Sequence, residues 1–364
     1  MILHDPSSII NFHDFGIMIP IAPNRKKRIL DFLEPEAFPR QDISGDAILS
    51  RADLERVHCR EYIASLYDRS PGGGLEAALY ATYELLDDQG RPNRYEPENA
   101  KKPLVDLFNL ILALAGGTYL ACRFALEHGF CYFLGGGMHH GRYDWGSGFC
   151  LINDVAIASF KILAGNGGAR PTPSGKPLRL IWIVDLDAHK GDGTAELIRL
   201  ARQRGELHDP QQAVSHNSDG SNKPCILGLS IHMAKGWPLD KDSIAAAQEG
   251  RAPLVSSDVD IGIDSGEEGE YTPRLMQGIG ELERLSSALG KPDLVLVVDG
   301  ADPYEHDGLP SSCLLKLSLE QCLERDNYVY RYCTERAIPS AWILSGGYGE
   351  RAWEPPAHFL RGIR

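Results

Sequence analysis

Residues 185–193 read Asp-Leu-Asp-Ala-His-Lys-Gly-Asp-Gly and place three carboxylates and one imidazole within nine positions. Side chains alternate along an extended backbone, so Asp185, Asp187 and His189 project to one side. Asp187 and His189 offer an oxygen and a nitrogen donor, and Asp302, in Gly-Ala-Asp-Pro (300–303), is the natural third. Three protein ligands leave a coordination position open, as catalytic metal sites do, whereas structural sites are closed by four. The donor types suit Zn²⁺, with Fe²⁺ as the alternative, and zinc can lower the pKa of a bound water to about 7.

An activated water needs a base, and a departing amine needs an acid. His139 and His140, ending the run Gly-Gly-Gly-Met-His-His (135–140), can supply both. Asp185 and Asp192 are then left to orient those imidazoles. Tyr348, in Ser-Gly-Gly-Tyr-Gly (345–349), can hydrogen-bond an oxygen that gains negative charge in a transition state. Each piece alone has a plainer explanation: a polar turn after a strand, an incidental histidine pair, a glycine turn, an Asp-Pro turn initiator.

Their positions weigh against coincidence. Leu178–Val184 is apolar and β-branched, bounded upstream by prolines, and predicts a buried strand ending at Asp185. Four more apolar runs end the same way. Phe130–Leu134 leads to the histidine pair, Ile226–Leu229 to Ser230-Ile231-His232, Leu294–Val298 to Asp299 and Asp302, and Ala341–Leu344 to Tyr348. Helical patterns at 153–164, 194–203, 273–289 and 318–336 alternate with these strands and predict a parallel α/β sheet covered on both faces. In such sheets ligands bind outside the carboxyl ends of the strands. Upstream, Ile17–Ile21 reads as a short strand or extended loop, Asn24–Leu33 as a helix whose basic head, Arg25–Arg28, is most simply a solvated face, with one of its cations near an anion path as the alternative, and Glu55–Tyr67 as one helix. The polar, turn-rich stretch 85–103 is long enough for a functional loop, and Pro103 begins an apolar helix to His128. Gly165–Lys176 and Glu206–Lys223 read as surface excursions within a single domain over residues 1–364.

The chain's 364 residues carry a formal net charge of −13, which argues against direct binding to nucleic acid or to an anionic membrane. The same charge permits a cationic substrate. Eight scattered cysteines form no Cys-x-x-Cys pair and fit neither a disulfide framework nor a thiolate zinc site. With no signal-like segment at the start and no apolar run seen near the ~20 residues of a membrane span, a cytoplasmic setting is expected.

Taken in order, the motifs at 135–140, 146–150 (Gly-Ser-Gly-Phe-Cys), 185–193, 229–232 (Leu-Ser-Ile-His), 300–303 and 345–349 resemble those of the histone deacetylase family, within the arginase/deacetylase superfamily and closest to bacterial and class IV-like members. The resemblance implies that fold, with a mostly parallel sheet of about eight strands, and a zinc amidohydrolase that removes acyl groups from amines. It assigns Asp187, His189 and Asp302 to Zn²⁺, pairs Asp185 with His139 and Asp192 with His140, and makes His140 the base. Tyr348 would polarise the amide carbonyl. Phe149 would wall an acyl-lysine tunnel, Gly148 would offer its carbonyl to the substrate amide, Trp237 would form the opposite wall and Leu309 the rim. K⁺ would bind the backbone carbonyls of Asp185, Asp187, His189, Ser230 and Ile231. The expected partner is an acyl-lysine protein or peptide, with an acetylated polyamine or another small amide as the alternative.

Three features depart from the family pattern or compete with it. Lys190 stands where many members have a second histidine, Asp299 is an extra acid that could orient a ligand or compete as one, and Lys-Gly-Trp-Pro (235–238) differs from the eukaryotic loop. An arginase-like two-metal site would need carboxylates where Gly191 and Tyr304 stand. A catalytically idle acyl-lysine binding module would have lost a ligand, the histidine pair or the tyrosine, and all are present. Glu84, Asp87, Asp88 and Glu96 are candidates for an acidic gatekeeper of the kind that selects polyamines.

Overall fold

The computed structural model describes residues 1–33, 39–43, 49–165, 177–210, 223–249 and 254–363. The two surface excursions expected from sequence lie largely outside the described residues. Among these residues eight strands form one sheet: β1 (Ile2–His4), β2 (Arg40–Asp42), β3 (Phe130–Phe133), β4 (Leu180–Asp185), β5 (Cys225–Met233), β6 (Val259–Ile263), β7 (Leu294–Asp299) and β8 (Ser340–Leu344). Their order is β2-β1-β3-β8-β7-β4-β5-β6, and every pairing is parallel.

Parallel strands buried on both faces need apolar residues in consecutive positions, and the central strands supply them. Ile181 and Ile183 of β4, Leu294, Leu296 and Val298 of β7, and Ala341 and Ile343 of β8 enter one core layer. Their neighbours Leu180, Trp182, Val184, Val295, Val297, Trp342 and Leu344 enter the other. Helices Leu107–His128, Asp154–Leu163 and Asp192–Gln203 contribute to the first layer, and helices Tyr271–Leu285, Leu319–Glu335 and Glu354–Gly362 to the second.

Topology fixes where a ligand can sit. From β4 the chain steps outward to β5 and β6, then returns to the other side of β4 as β7 and continues to β8. The connections therefore diverge between β4 and β7, and the crevice at such a reversal is where open α/β sheets bind ligands. Asp187 and His189 leave β4 there, and Asp302 leaves β7.

Several expectations need correction. Against the expectation that no apolar run approaches the length of a membrane span, the helix through Leu104–His128 is long and apolar enough to cross one, but 67% of its apolar window is buried. It packs on β3 and β8 and on helix Asp154–Leu163. A Cβ at Gly117 would fall 2.1 Å from the Phe133 ring, so glycine lets this helix press against β3 just before the histidine loop. Residues 55–67 form the end of one short helix, Arg51–Glu55, and a second, Arg60–Leu66, capped by the Cys59 sulfur, not one continuous helix. Ile17 makes only an isolated antiparallel bridge to Tyr95.

Candidate active site

The metal-type donors converge. Ligand atoms of Asp187, His189 and Asp302 all lie within 4.8 Å of one another, and all three residues are buried. His189 Nδ1 stands 2.9 Å from Asp302 Oδ2 and 3.2 Å from Asp187 Oδ1. The backbone N–H groups of Gly346 and Ala188 donate to Asp187 Oδ2 and Asp302 Oδ1, each at 3.0 Å, fixing the carboxylates. A Cβ at Gly346 would lie 2.5 Å from Asp187 Oδ2 and 2.6 Å from Asp302 Oδ2, so only glycine clears this cradle. Burial opposes charge on His189, yet the two carboxylates outweigh it and push its pKa up to about 10. Burial, then Asp187, pushes Asp302 up to about 7. Two carboxylates and one imidazole gathered this way fit a divalent cation.

Each histidine of the pair has its own carboxylate. His139 Nδ1 lies 2.6 Å from Asp185 Oδ2, and His140 Nδ1 lies 3.2 Å from Asp192 Oδ1. Carboxylates accept, so both rings carry hydrogen on Nδ1. The loop is held from behind: Asn153 donates to the carbonyls of His139 and Gly141, and His58 bonds the Arg142 carbonyl at 2.6 Å. Arg142 donates to both Asp192 and Glu196 inside the protein.

Tyr348 is buried in the wall of the same cavity, its backbone N–H donating to Asp307 Oδ2 at 2.7 Å. Burial, then the charges of Asp302 and Asp187, hold its hydroxyl well above the usual tyrosine range, so it remains a donor. Beneath the loop, buried Arg25 donates to the carbonyls of Ser345, Gly346 and Gly347.

The cavity has a volume of about 400 Å³ and is lined by His139, His140, Asp187, His189 and Tyr348, together with all four expected substrate contacts, Gly148, Phe149, Trp237 and Leu309. Trp237 meets the His140 ring edge to face at 4.6 Å. Gly148 has φ +53°, and a Cβ there would strike Trp237 at 2.4 Å. Phe149 also adopts a positive φ of 63°, unusual for an aromatic residue, and lies parallel to Tyr83 at 6.3 Å. For the expected K⁺ groups, Asp185 faces Ser230 across the β4–β5 ladder, beside Ile231.

Asp299 is not among the clustered donors. Its carboxylate accepts from Tyr132 at 2.6 Å and from Arg325 at 2.9 Å, so it anchors the carboxyl end of β7 and lies outside the donor cluster. Lys190 turns away from the cavity to pair with Asp260 on β6. Of the suspected gatekeepers only Glu84 lines the cavity; Asp87 pairs with Arg91 and Glu96 with Asn99. Sequence reasoning missed Arg25, Arg94, Arg142, Asn153, Asp307 and His58. The basic run at 25–28 held the signal for Arg25, which the run's solvated appearance concealed.

Comparison with known proteins agrees with this architecture. The histone deacetylase domain family matches residues 19–358. The chain belongs to the histone deacetylase family. It is 29% identical over 239 residues to an uncharacterized protein of Picosynechococcus sp., covering 66% of this chain but 63%, under two thirds, of that protein. It is 24% identical over 351 residues to histone deacetylase 2 of Arabidopsis thaliana, covering 95% of this chain and 74% of the plant protein. In three dimensions it resembles the crystal structure of acetylpolyamine aminohydrolase from Burkholderia pseudomallei, with a TM-score of 0.63 over all of this chain and 98% of that one, at 16% identity. That likeness establishes the fold, one parallel eight-stranded sheet with flanking helices.

Proposed function

We propose that the chain is a zinc-dependent amidohydrolase that removes short acyl groups from lysine side chains of proteins or peptides. The observation that carries this is convergence: Asp187 and His189, clustered with Asp302 just behind them, line one cavity with Tyr348 and with two histidines that have separate aspartates. When bound to the three ligands, Zn²⁺ (or Fe²⁺) supplies Lewis-acid polarisation of the acyl carbonyl and the attacking water.

The chain's own groups then divide the proton work. Phe149 and Trp237 hold the alkyl stem of the substrate, and the Gly148 carbonyl accepts from the amide N–H. Asp192 holds the His140 proton on Nδ1, leaving Nε2 to take a proton from water as oxygen attacks the carbonyl carbon. Tyr348 donates a hydrogen bond to the oxyanion. His139, held by Asp185, gives a proton to the amine nitrogen as the C–N bond breaks, releasing a carboxylate and an amine. Carbonyls of Asp185, Asp187, His189, Ser230 and Ile231 would take K⁺, steadying the ligand loop.

The test is amine release by zinc-loaded protein from acetyl-, longer-acyl- and lactyl-lysine peptides and from acetylated spermidine and putrescine. Turnover of lysine peptides is expected, with Tyr348→Phe down ~10²–10³-fold at unchanged metal content. Release confined to polyamines would move the substrate class, and wild-type turnover by Tyr348→Phe would remove the oxyanion role.

A further inference from the structure

The cavity runs against the charge of the chain. Although the net charge is −13, the charged side chains that line the cavity among the described residues, apart from the metal cluster and the histidine pair, are Arg25, Lys26 and Arg94 against a single carboxylate, Glu84. Arg25 is committed to three backbone carbonyls. Lys26 lies beside Arg25 on the helix that begins there. Arg94 belongs to the loop at the mouth, where its guanidinium carbon sits 5.2 Å from the centre of the Phe149 ring.

That position is built. The Arg94 carbonyl accepts from Met18 N–H at 2.9 Å, and Ile17 bridges Tyr95, so the backbone on both sides is tied to the N-terminal segment. Glu84, with a strained φ of 52°, is held by Asn93 donating to its carbonyl at 3.0 Å, and its carboxylate reaches Arg94 at 3.3 Å. Both side chains are partly exposed, 37% for Arg94 and 52% for Glu84. An ion pair of this kind is weak and screened by water, so an incoming carboxylate can displace Glu84 at small cost. A planar guanidinium held beside an aromatic wall by this backbone and by Glu84 can present its two-pronged donor edge to a carboxylate.

We infer that Arg94 is a specificity-determining residue: it selects acylated amines whose amine half carries a carboxylate near the tunnel mouth, and it disfavours polycationic amines. This class comprises acyl-lysine with a free α-carboxylate and acyl-lysine peptides with acidic flanks. The inference rests on the amidohydrolase function proposed above. The acidic-gatekeeper expectation is thereby reversed, because Glu84 at the mouth serves to hold a cation.

The experiment measures kcat/KM of zinc-loaded protein for Nε-acetyl-lysine, its α-amide, acetyl-lysine peptides flanked by Asp or by Lys, and acetylspermidine. Each is run with wild type, Arg94→Gln, Arg94→Lys and Glu84→Gln. The quantity read is the ratio of carboxylate-bearing to neutral or cationic substrate, which a merely structural defect does not move. Wild type should favour the carboxylate by roughly tenfold or more, mainly through KM, as expected for one charge-assisted contact. Arg94→Gln should bring the ratio near one, Arg94→Lys should keep part of it, and Glu84→Gln should enlarge it. Preference for the free acid alone, or for the acidic peptide as well, identifies the member of the class. A wild-type ratio near one, a preference for acetylspermidine, or a ratio untouched by Arg94→Gln would overturn the inference while leaving the hydrolase reaction standing. Failure of wild type on every substrate would overturn both.

Discussion

His139 and His140 are adjacent, their ring centres 3.9 Å apart and both rings buried, yet their surroundings are opposed. On the His139 side, Asp185 is at 2.6 Å and the carboxylate of Asp187 at 3.7 Å. Burial disfavours a charged ring there, but the two anions prevail and push the pKa up to about 9. On the His140 side, Asp192 is shared with Arg142, which also binds Glu196. Burial, then the neighbouring His139, pushes His140 down to about 3. Each histidine has its own aspartate, but His139 also meets the carboxylate of Asp187, whereas the aspartate beside His140 is shared with Arg142. Pairs of titratable groups driven apart in this way are what an acid and a base in one site require, in keeping with the roles proposed above. Geometry agrees, since each ring spends Nδ1 on its carboxylate and keeps Nε2 for the cavity side.

The largest effect should come from the element both halves share. Asp187→Ala should empty the metal site and reduce turnover to background, checked by metal analysis of the purified protein beside activity; full metal content would refute the ligand assignment. Next, His140→Ala should lower kcat by ~10²–10⁴-fold, the range for loss of a positioned acid or base, with metal retained. His139→Ala should cost less on substrates whose amine is a good leaving group, because protonation of the amine then matters less. Equal sensitivity of both variants to leaving-group pKa would erase the distinction. Smaller still, Asp185→Asn and Asp192→Asn should each lower kcat/KM by about 10–100-fold, typical of residues that orient an active group. Of the two, Asp192→Asn should follow the His140→Ala pattern across leaving groups.

Legibility followed burial and regularity. The five apolar runs with chemistry at their ends were plain because a doubly covered parallel strand must be apolar throughout, and each lies within two residues of its observed bounds except β5, which continues through His232 to Met233. β1 and β2 span three residues each, too short for any period to register. β6 carries exposed Asp260 and half-buried Ile261 and Gly262 on the sheet edge, which dilutes the apolar signal. At the site, the three donors named from the motifs, Asp187, His189 and Asp302, are the ones that cluster among the described residues. The charge arrangement around them was hidden because its partners are distant: Asp299 is answered by Tyr132 and Arg325, 167 and 26 residues away, and Asp192 by Arg142, 50 residues away. Local sequence marks a buried arginine no differently from a solvated one; only the fold shows which carbonyls or carboxylates it meets.

Arg142 gives the finest test of the comparison between the histidines. If its guanidinium neutralises Asp192, removing that charge should make the His140 surroundings resemble those of His139. Asp192, held below the usual carboxylate range by its contacts with His140 and Arg142 against the opposing effect of burial, would then direct its full negative charge at His140. The pKa of His140 must rise, by about one unit or more for loss of an adjacent counter-charge. A base works only when unprotonated, so the acid limb of the pH–rate profile must move to higher pH. Arg142→Met would also leave Asp192 and Glu196 buried without their cation, at a cost of roughly 3–5 kcal/mol; Arg142→Lys, which keeps the charge, separates the two effects. The expected pattern is a raised acid limb in Arg142→Met, measured well below its melting temperature, and a near-native limb in Arg142→Lys. A raised limb in neither, or an equal rise in both, would mean that His140 owes its low pKa to burial and His139 alone, and that Arg142 serves only to hold the loop.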